Sequence, residues 1–138
     1  MSMQPQALVW PNSPQEVVLY LRDEFDIYAD RYEMPTRVDV DLTGWRRPQP
    51  SVQVHQRGGW TRGWRSSARL QVDVRHNTLE LTRDLMNLTK AFLLVMPLKV
   101  PNVLQSIEYV GAQAIPDSDR KPRLMLTWDV ITRGAPLV

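Results

Sequence analysis

Apolar positions recur along the chain with two helical spacings and several strand-like alternations. The first helical stretch opens at Ser13-Pro14-Gln15-Glu16. There Ser13 suits a cap, Pro14 the first helical position and Glu16 the return arm of a capping box. Val17, Val18, Leu21, Phe25 and Tyr28 then form one apolar stripe, predicting a helix to about Arg31 that stops before Pro35. Arg22, Asp23, Asp26 and Asp30 fall on its other, solvated face. Three strands are predicted next: Arg37 to Leu42, Ser51 to Gln56, and Ala68 to His76. In the third, Leu70, Val72, Val74 and His76 alternate with Arg69, Gln71, Asp73 and Arg75. Between the last two lies Arg57-Gly58-Gly59-Trp60-Thr61-Arg62-Gly63-Trp64-Arg65-Ser66-Ser67. Its glycines and serines predict a flexible connection, too long and basic for a tight hairpin turn. A second helix starts at Asn77-Thr78-Leu79-Glu80, again a capping-box pattern, buries Leu81, Leu85, Leu88 and Phe92, and is bounded by Pro97. After an extended segment, Leu98 to Pro101, two strands remain. They are Gln105 to Ile115 and Arg123 to Arg133, the latter alternating Leu124, Leu126, Trp128 and Val130. The polar linker Pro116 to Pro122 reads as a hairpin loop between them.

The order is α-β-β-β-α-β-β, with no glycine fingerprint of a βαβ unit and no internal repeat. The fold class expected is α+β: two amphipathic helices packed on one mostly antiparallel sheet of about five strands. Residues 13–134 read as one domain. Residues 1–12, interrupted by Pro5 and Pro11, form an extended arm, with Ala7 to Trp10 a candidate for lying on a neighbouring surface, and residues 135–138 a short tail. At 138 residues a chain can bury about 68–70% of the surface its unfolded form exposes, enough for its own core.

Composition narrows the chemistry. There is no Cys, which excludes disulfides, thiolate nucleophiles and thiolate metal ligands. The apolar run Phe92 to Leu98 contains a proline and falls far short of the roughly 20 residues a membrane-spanning helix needs. The N-terminus lacks the basic region of a signal peptide. A soluble protein kept in the cytosol, with no cofactor, is expected. No serine nucleophile elbow, phosphate loop or H-E-x-x-H pair occurs. His55 and His76 lie in strand patterns and read as structural. The carboxylates Asp23, Glu24, Asp26 and Asp30 read as a solvated helix face rather than a metal site, and Asp39 and Asp41 as an outer surface. The expectation is that the protein is not an enzyme.

Charge carries the strongest signal. The net charge is +2, yet from Leu42 to Val72 there is no Asp or Glu, while Arg46, Arg47, Arg57, Arg62, Arg65 and Arg69 all fall there. That stretch holds +6, leaving −4 for the rest, which points to a charged partner or to a second copy presenting the opposite sign. Within it, Trp60 and Trp64 stand among Arg57, Arg62 and Arg65. Aromatic rings between guanidinium groups suit a single-stranded nucleic-acid groove. They also suit a protein interface, where Trp and Arg are favoured anchors. Because exposed tryptophans invite association, an interface or lumen position is preferred for this segment.

The whole arrangement resembles the tail terminator (tail completion) proteins of long-tailed, non-contractile bacteriophages of the lambda type. The resemblance rests on the capped helix SPQEVVLYLRDEF, the strand VQVHQRGG, the strand-to-helix step ARLQVDVRH–NTLELTRDLMNLTKAFL, and the closing strands QSIEYVGAQAI and RLMLTWDVITRG, from about Ser13 to Gly134. It implies a structural virion protein that assembles in the host cytoplasm as a ring, usually a hexamer, at the head-proximal end of the tail. There it ends tube elongation and offers the surface for head-tail joining. Its partners would be copies of itself, the major tail-tube protein, a head-tail connector protein and DNA passing through the lumen, with no membrane. In those terms Arg57, Trp60, Arg62, Trp64 and Arg65 form an oligomer or tube interface, and Arg46, Arg47 and Arg69 line the lumen or a charged interface. The density of Arg and Trp departs from the family's pattern and leaves both placements open. A head-side connector or stopper, and a small nucleic-acid-binding module, stay as alternatives.

Overall fold

The structure is a computed structural model that describes residues 8–9, 12–32, 38–42, 50–115 and 122–136. In chain order its elements are β1 (Leu8–Val9), α1 (Ser13–Tyr32), β2 (Asp39–Leu42), β3 (Ser51–Arg62), β4 (Arg65–Arg75), α2 (Leu79–Lys99), β5 (Val103–Ala114), β6 (Arg123–Arg133) and β7 (Ala135–Pro136). Five strands make one sheet in the order β2-β3-β4-β6-β5, antiparallel except for the β2–β3 pair. This is the α+β architecture expected, with both helices on one face. Leu8–Val9 pairs antiparallel with Ala135–Pro136, so this part of the N-terminal arm lies on the chain's own C-terminal tail.

The core forms where the alternation of β3, β4 and β6 turns Val52, Val54, Leu70, Val72, Val74, Leu124, Leu126, Trp128 and Val130 toward the helices. Trp128 is fully buried, and its indole N–H donates to Ser106 Oγ at 2.6 Å, so its polar handle is satisfied. From α1, Val17, Val18, Leu21 and Phe25 pack down as their spacing predicts. Phe92 of α2 meets Phe25 (5.0 Å) and Tyr28 (6.2 Å) in T-shaped pairs. The Tyr20 hydroxyl donates to the Phe92 carbonyl at 2.5 Å. Burial, with Glu24 nearby, pushes that phenol up to about 12.

Local rules account for four departures from the sequence reading. Helix α1 is capped one residue earlier than expected: Asn12 Oδ1 accepts from the Gln15 N–H, and the Asn12 carbonyl from the Glu16 N–H. Thr78 caps α2, accepting from the Leu81 N–H at 3.1 Å, so Glu80 closes no capping box. The buried stripe of α2 is rotated from the one expected. It comprises Thr82, Leu85, Met86, Thr89, Leu93 and Met96, while Leu81 is exposed and Leu88 and Phe92 are half-buried. Two threonines enter the core because each hydroxyl donates back one turn, Thr82 to the Thr78 carbonyl and Thr89 to the Leu85 carbonyl. Nor does Pro97 end α2. The helix runs to Lys99, and the Val100 N–H still donates to the Met96 carbonyl at 2.9 Å, carrying the ladder past the proline. Leu98 and Lys99, expected as extended, are helical.

Candidate binding surface on the projecting hairpin

The segment Arg57 to Ser67, predicted as a flexible connection, is instead the far half of a long β-hairpin. β3 and β4 stay paired from Ser51↔Arg75 out to Arg62↔Arg65, joined by the two residues Gly63 and Trp64. Only the first turn residue, Gly63, has positive φ (58°), as a type II′ turn requires, and that turn's twist matches the flanking strands. A shift in register between Gln56 and Gly58 marks a β-bulge that aims Arg57 across the sheet face, where its Nε–H donates to Gln71 Oε1 at 2.6 Å. Gly59 is held at φ 146°, and a Cβ there would stand 2.0 Å from the Ser67 carbonyl oxygen. The bulge and the close approach explain the Gly58-Gly59 pair better than flexibility does.

On the sheet face away from the helices, polar side chains in the central strands are buried beneath longer ones. Gln71 and Asp73 are 4% and 3% exposed. Asp73 accepts from Gln71 Nε2 and from Arg123 Nη2 at 3.0 Å, and Gln53 accepts from Arg75 at 2.7 Å. These arginine stems roof the polar ladder while keeping its members hydrogen-bonded. His55 joins this cluster, its pKa lowered by burial and then by the Arg57 charge. His76 lies just past β4, accepts from the Asn77 N–H through Nδ1, and is likewise lowered by burial.

Farther out, the same face becomes cationic. Arg62, Arg65 and Arg133 occupy one rung across β3, β4 and β6, and side chains directly opposite one another share a face. Among the described residues none of the three, nor Arg57, forms an ion pair with a carboxylate. Arg62 stacks over Trp60 at 5.1 Å and Arg65 over Trp64 at 4.6 Å, which positions both guanidinium groups. Like charges directly opposite in a sheet disfavour folding by roughly 0.2–1 kcal/mol per pair, so this rung stands against stability in the isolated chain. The other hairpin face carries hydroxyls, with Thr61 and Ser66 in contact at 3.3 Å and Thr132 next in the rung.

The residues singled out from sequence therefore separate into groups. Arg57, Trp60, Arg62, Trp64 and Arg65 are gathered on one hairpin, with Trp60 38% and Trp64 50% exposed. Arg69 stands apart from them chemically. It makes two hydrogen bonds to Asp129 (3.0 and 3.2 Å) and stacks on Tyr109 at 3.4 Å, so its charge is answered within the chain. Arg46, Arg47 and the polar turn from Pro116 to Lys121 lie outside the described residues. Arg133 was missed, because it sits far along the chain; its place at the end of a predicted strand was the available signal. Asp23, Asp26 and Asp30 are exposed as expected, whereas Glu24 binds Lys99 at 2.9 Å and Asp41 is met by Arg22 from α1. Among the described residues no group of three His, Asp or Glu could hold a metal. A cleft of about 250 Å³ lies between the start of α1 and the end of α2, lined by Ser13, Glu16, Met96, Val100 and Thr132 among others. Among the described residues no helix is long and apolar enough to cross a membrane. The chain matches no protein-family model, and no curated protein matches it significantly.

Proposed function

We propose that this protein is a structural component of a phage tail that assembles side by side into a closed ring, caps the tail tube and presents the surface for head-tail joining. The observation that carries the reading is the outer edge of this hairpin. β2 pairs only with Ser51–Val54, so among the described residues the outer edge of β3 from His55 to Arg62 has no strand beside it. An open edge tipped by two exposed tryptophans is a ready site for strand addition and burial against a neighbour. The opposite sheet edge, β5, has a different sequence and is broken by three register shifts. Contact between two unlike edges is heterologous, and a heterologous contact closes into a ring when its rotation permits. The resemblance in element order supplies the tail context. The mechanism is binding and steric blockade, with no bond made or broken.

Changing Trp60 and Trp64 together to alanine tests this. The variant is expected to keep its helical and strand circular dichroism and its cooperative melt, while ring particles and joined tails disappear from electron micrographs. Normal rings and normal joining in that variant overturn the hairpin's role. A head-side connector acting by the same ring would dock on portal-bound proteins and ignore purified tail tubes.

A further inference from the structure

We infer that the outer face of the hairpin, the rung Arg62–Arg65–Arg133 with Arg57 beside it, binds the phosphodiester backbone of nucleic acid. The inference goes beyond ring assembly, since it concerns one face of a single subunit. Three observations carry it. First, the register places three arginines from three adjacent strands opposite one another on one face, about 5 Å apart at their backbones. Second, none of these groups, nor Arg57, has a carboxylate partner among the described residues, although the neighbouring Arg69, Arg75 and Arg123 are all engaged. Third, Arg62 and Arg65 are stacked on Trp60 and Trp64, which holds their donors in place before any ligand arrives.

The third observation also decides how nucleic acid would be read. Each indole already carries a guanidinium on one face, so the rings act as supports for arginine rather than as platforms for unstacked bases. Recognition then runs through phosphate oxygens, is independent of sequence, and does not favour single strands over duplex. An acidic protein segment is the competing occupant of a cationic face. The phosphodiester is favoured because a planar guanidinium fork fits its paired oxygens and the rung repeats that fork three times.

The test is fluorescence anisotropy of the full chain with a labelled 20-base-pair duplex, the corresponding single strand, and poly-glutamate, across 50–200 mM salt. For three phosphate contacts the duplex slope of log affinity against log salt is expected to be about −2.7, a weakening of roughly 40-fold over that range. Arg62→Gln, Arg65→Gln and Arg133→Gln should each reduce the slope by about 0.9. Arg83→Gln, on the exposed side of α2, should leave it unchanged. Melting curves of all four variants establish that each is folded. Absence of duplex binding at 50 mM salt overturns the inference, as does an unchanged slope in all three hairpin-face variants. Tighter binding of poly-glutamate, or strong preference for the single strand, overturns it too. Native mass measured on the same samples separates the two proposals: rings without DNA binding defeat this one alone, and DNA binding without rings defeats the ring alone.

Discussion

The two adjacent glycines of the hairpin give a sharp test of whether it is the paired ribbon described here. At Gly59, with φ 146°, an added Cβ would stand 2.0 Å from the Ser67 carbonyl oxygen, 3.0 Å from its carbon and 3.2 Å from the Ala68 Cα. All three are backbone atoms, so no side chain can move aside, and the Gly59↔Ala68 pairing has to yield. A non-glycine residue in so sparsely populated a conformation costs roughly 1–3 kcal/mol before the clash is counted. With the lost pairing, Gly59→Ala should lose about 3 kcal/mol, a fall in Tm of roughly 10 °C for a chain of this size. Gly58 has negative φ and nothing within 4 Å of its added Cβ. Gly58→Ala should therefore stay within about 0.5 kcal/mol of the parent, or gain slightly from a stiffer unfolded chain. Thermal melts followed by circular dichroism, with amide exchange of residues 59–67, read the contrast directly. If the two variants melt within a degree of each other and exchange alike, the segment is not held in this register, and the ordered cationic rung goes with it.

Other consequences concern the core and the polar face. Trp128→Phe removes buried ring atoms and leaves the Ser106 hydroxyl without its donor, so urea unfolding should show a loss of roughly 2–3 kcal/mol. Asp73→Asn should cost about 3 kcal/mol by leaving the Arg123 guanidinium without its carboxylate, and Asp73→Leu with Arg123→Met should cost less than the sum of the two single changes in a double-mutant cycle. Both histidines have lowered pKa values when folded. Above pH 6.5 they are neutral in the folded and unfolded chain alike. As the pH falls through that value the unfolded chain takes up protons first, so stability declines toward the lower folded pKa values. His55→Gln with His76→Gln should reduce the difference in urea midpoint between pH 7.5 and pH 5.5; an unchanged difference would contradict the assignment.

How far the fold could be read from sequence depended on whether one side of each element is buried. β6 was delimited correctly, because Leu124, Leu126, Trp128 and Val130 alternate over its length against a helix-covered core. The β4 partners Ser67 and Ala68 are buried, but Gln56 to Arg62 of β3 are exposed on both faces, so no apolar alternation marks them. What marks them instead is turn chemistry: Gly63 followed by Trp64 as a two-residue turn, with Gly59 where a carbonyl leaves no room for a Cβ. The α2 stripe was misplaced because Thr82 and Thr89 look polar until their hydroxyls bond to the preceding turn. The cationic surface was half legible. Arg57, Arg62 and Arg65 are neighbours in sequence, while Arg133 joins them only through strand register, and Arg69 leaves the group through Asp129, sixty residues away.

The most direct measurement of the central claim is the native mass of the purified chain, alone and mixed with tail tubes, with the same mixtures viewed by electron microscopy. A discrete ring is expected, six copies of the 16.0 kDa chain where the stoichiometry is hexameric, seated on one end of each tube and arresting its growth. A chain that stays monomeric in both conditions, with tubes that continue to elongate uncapped, would contradict it.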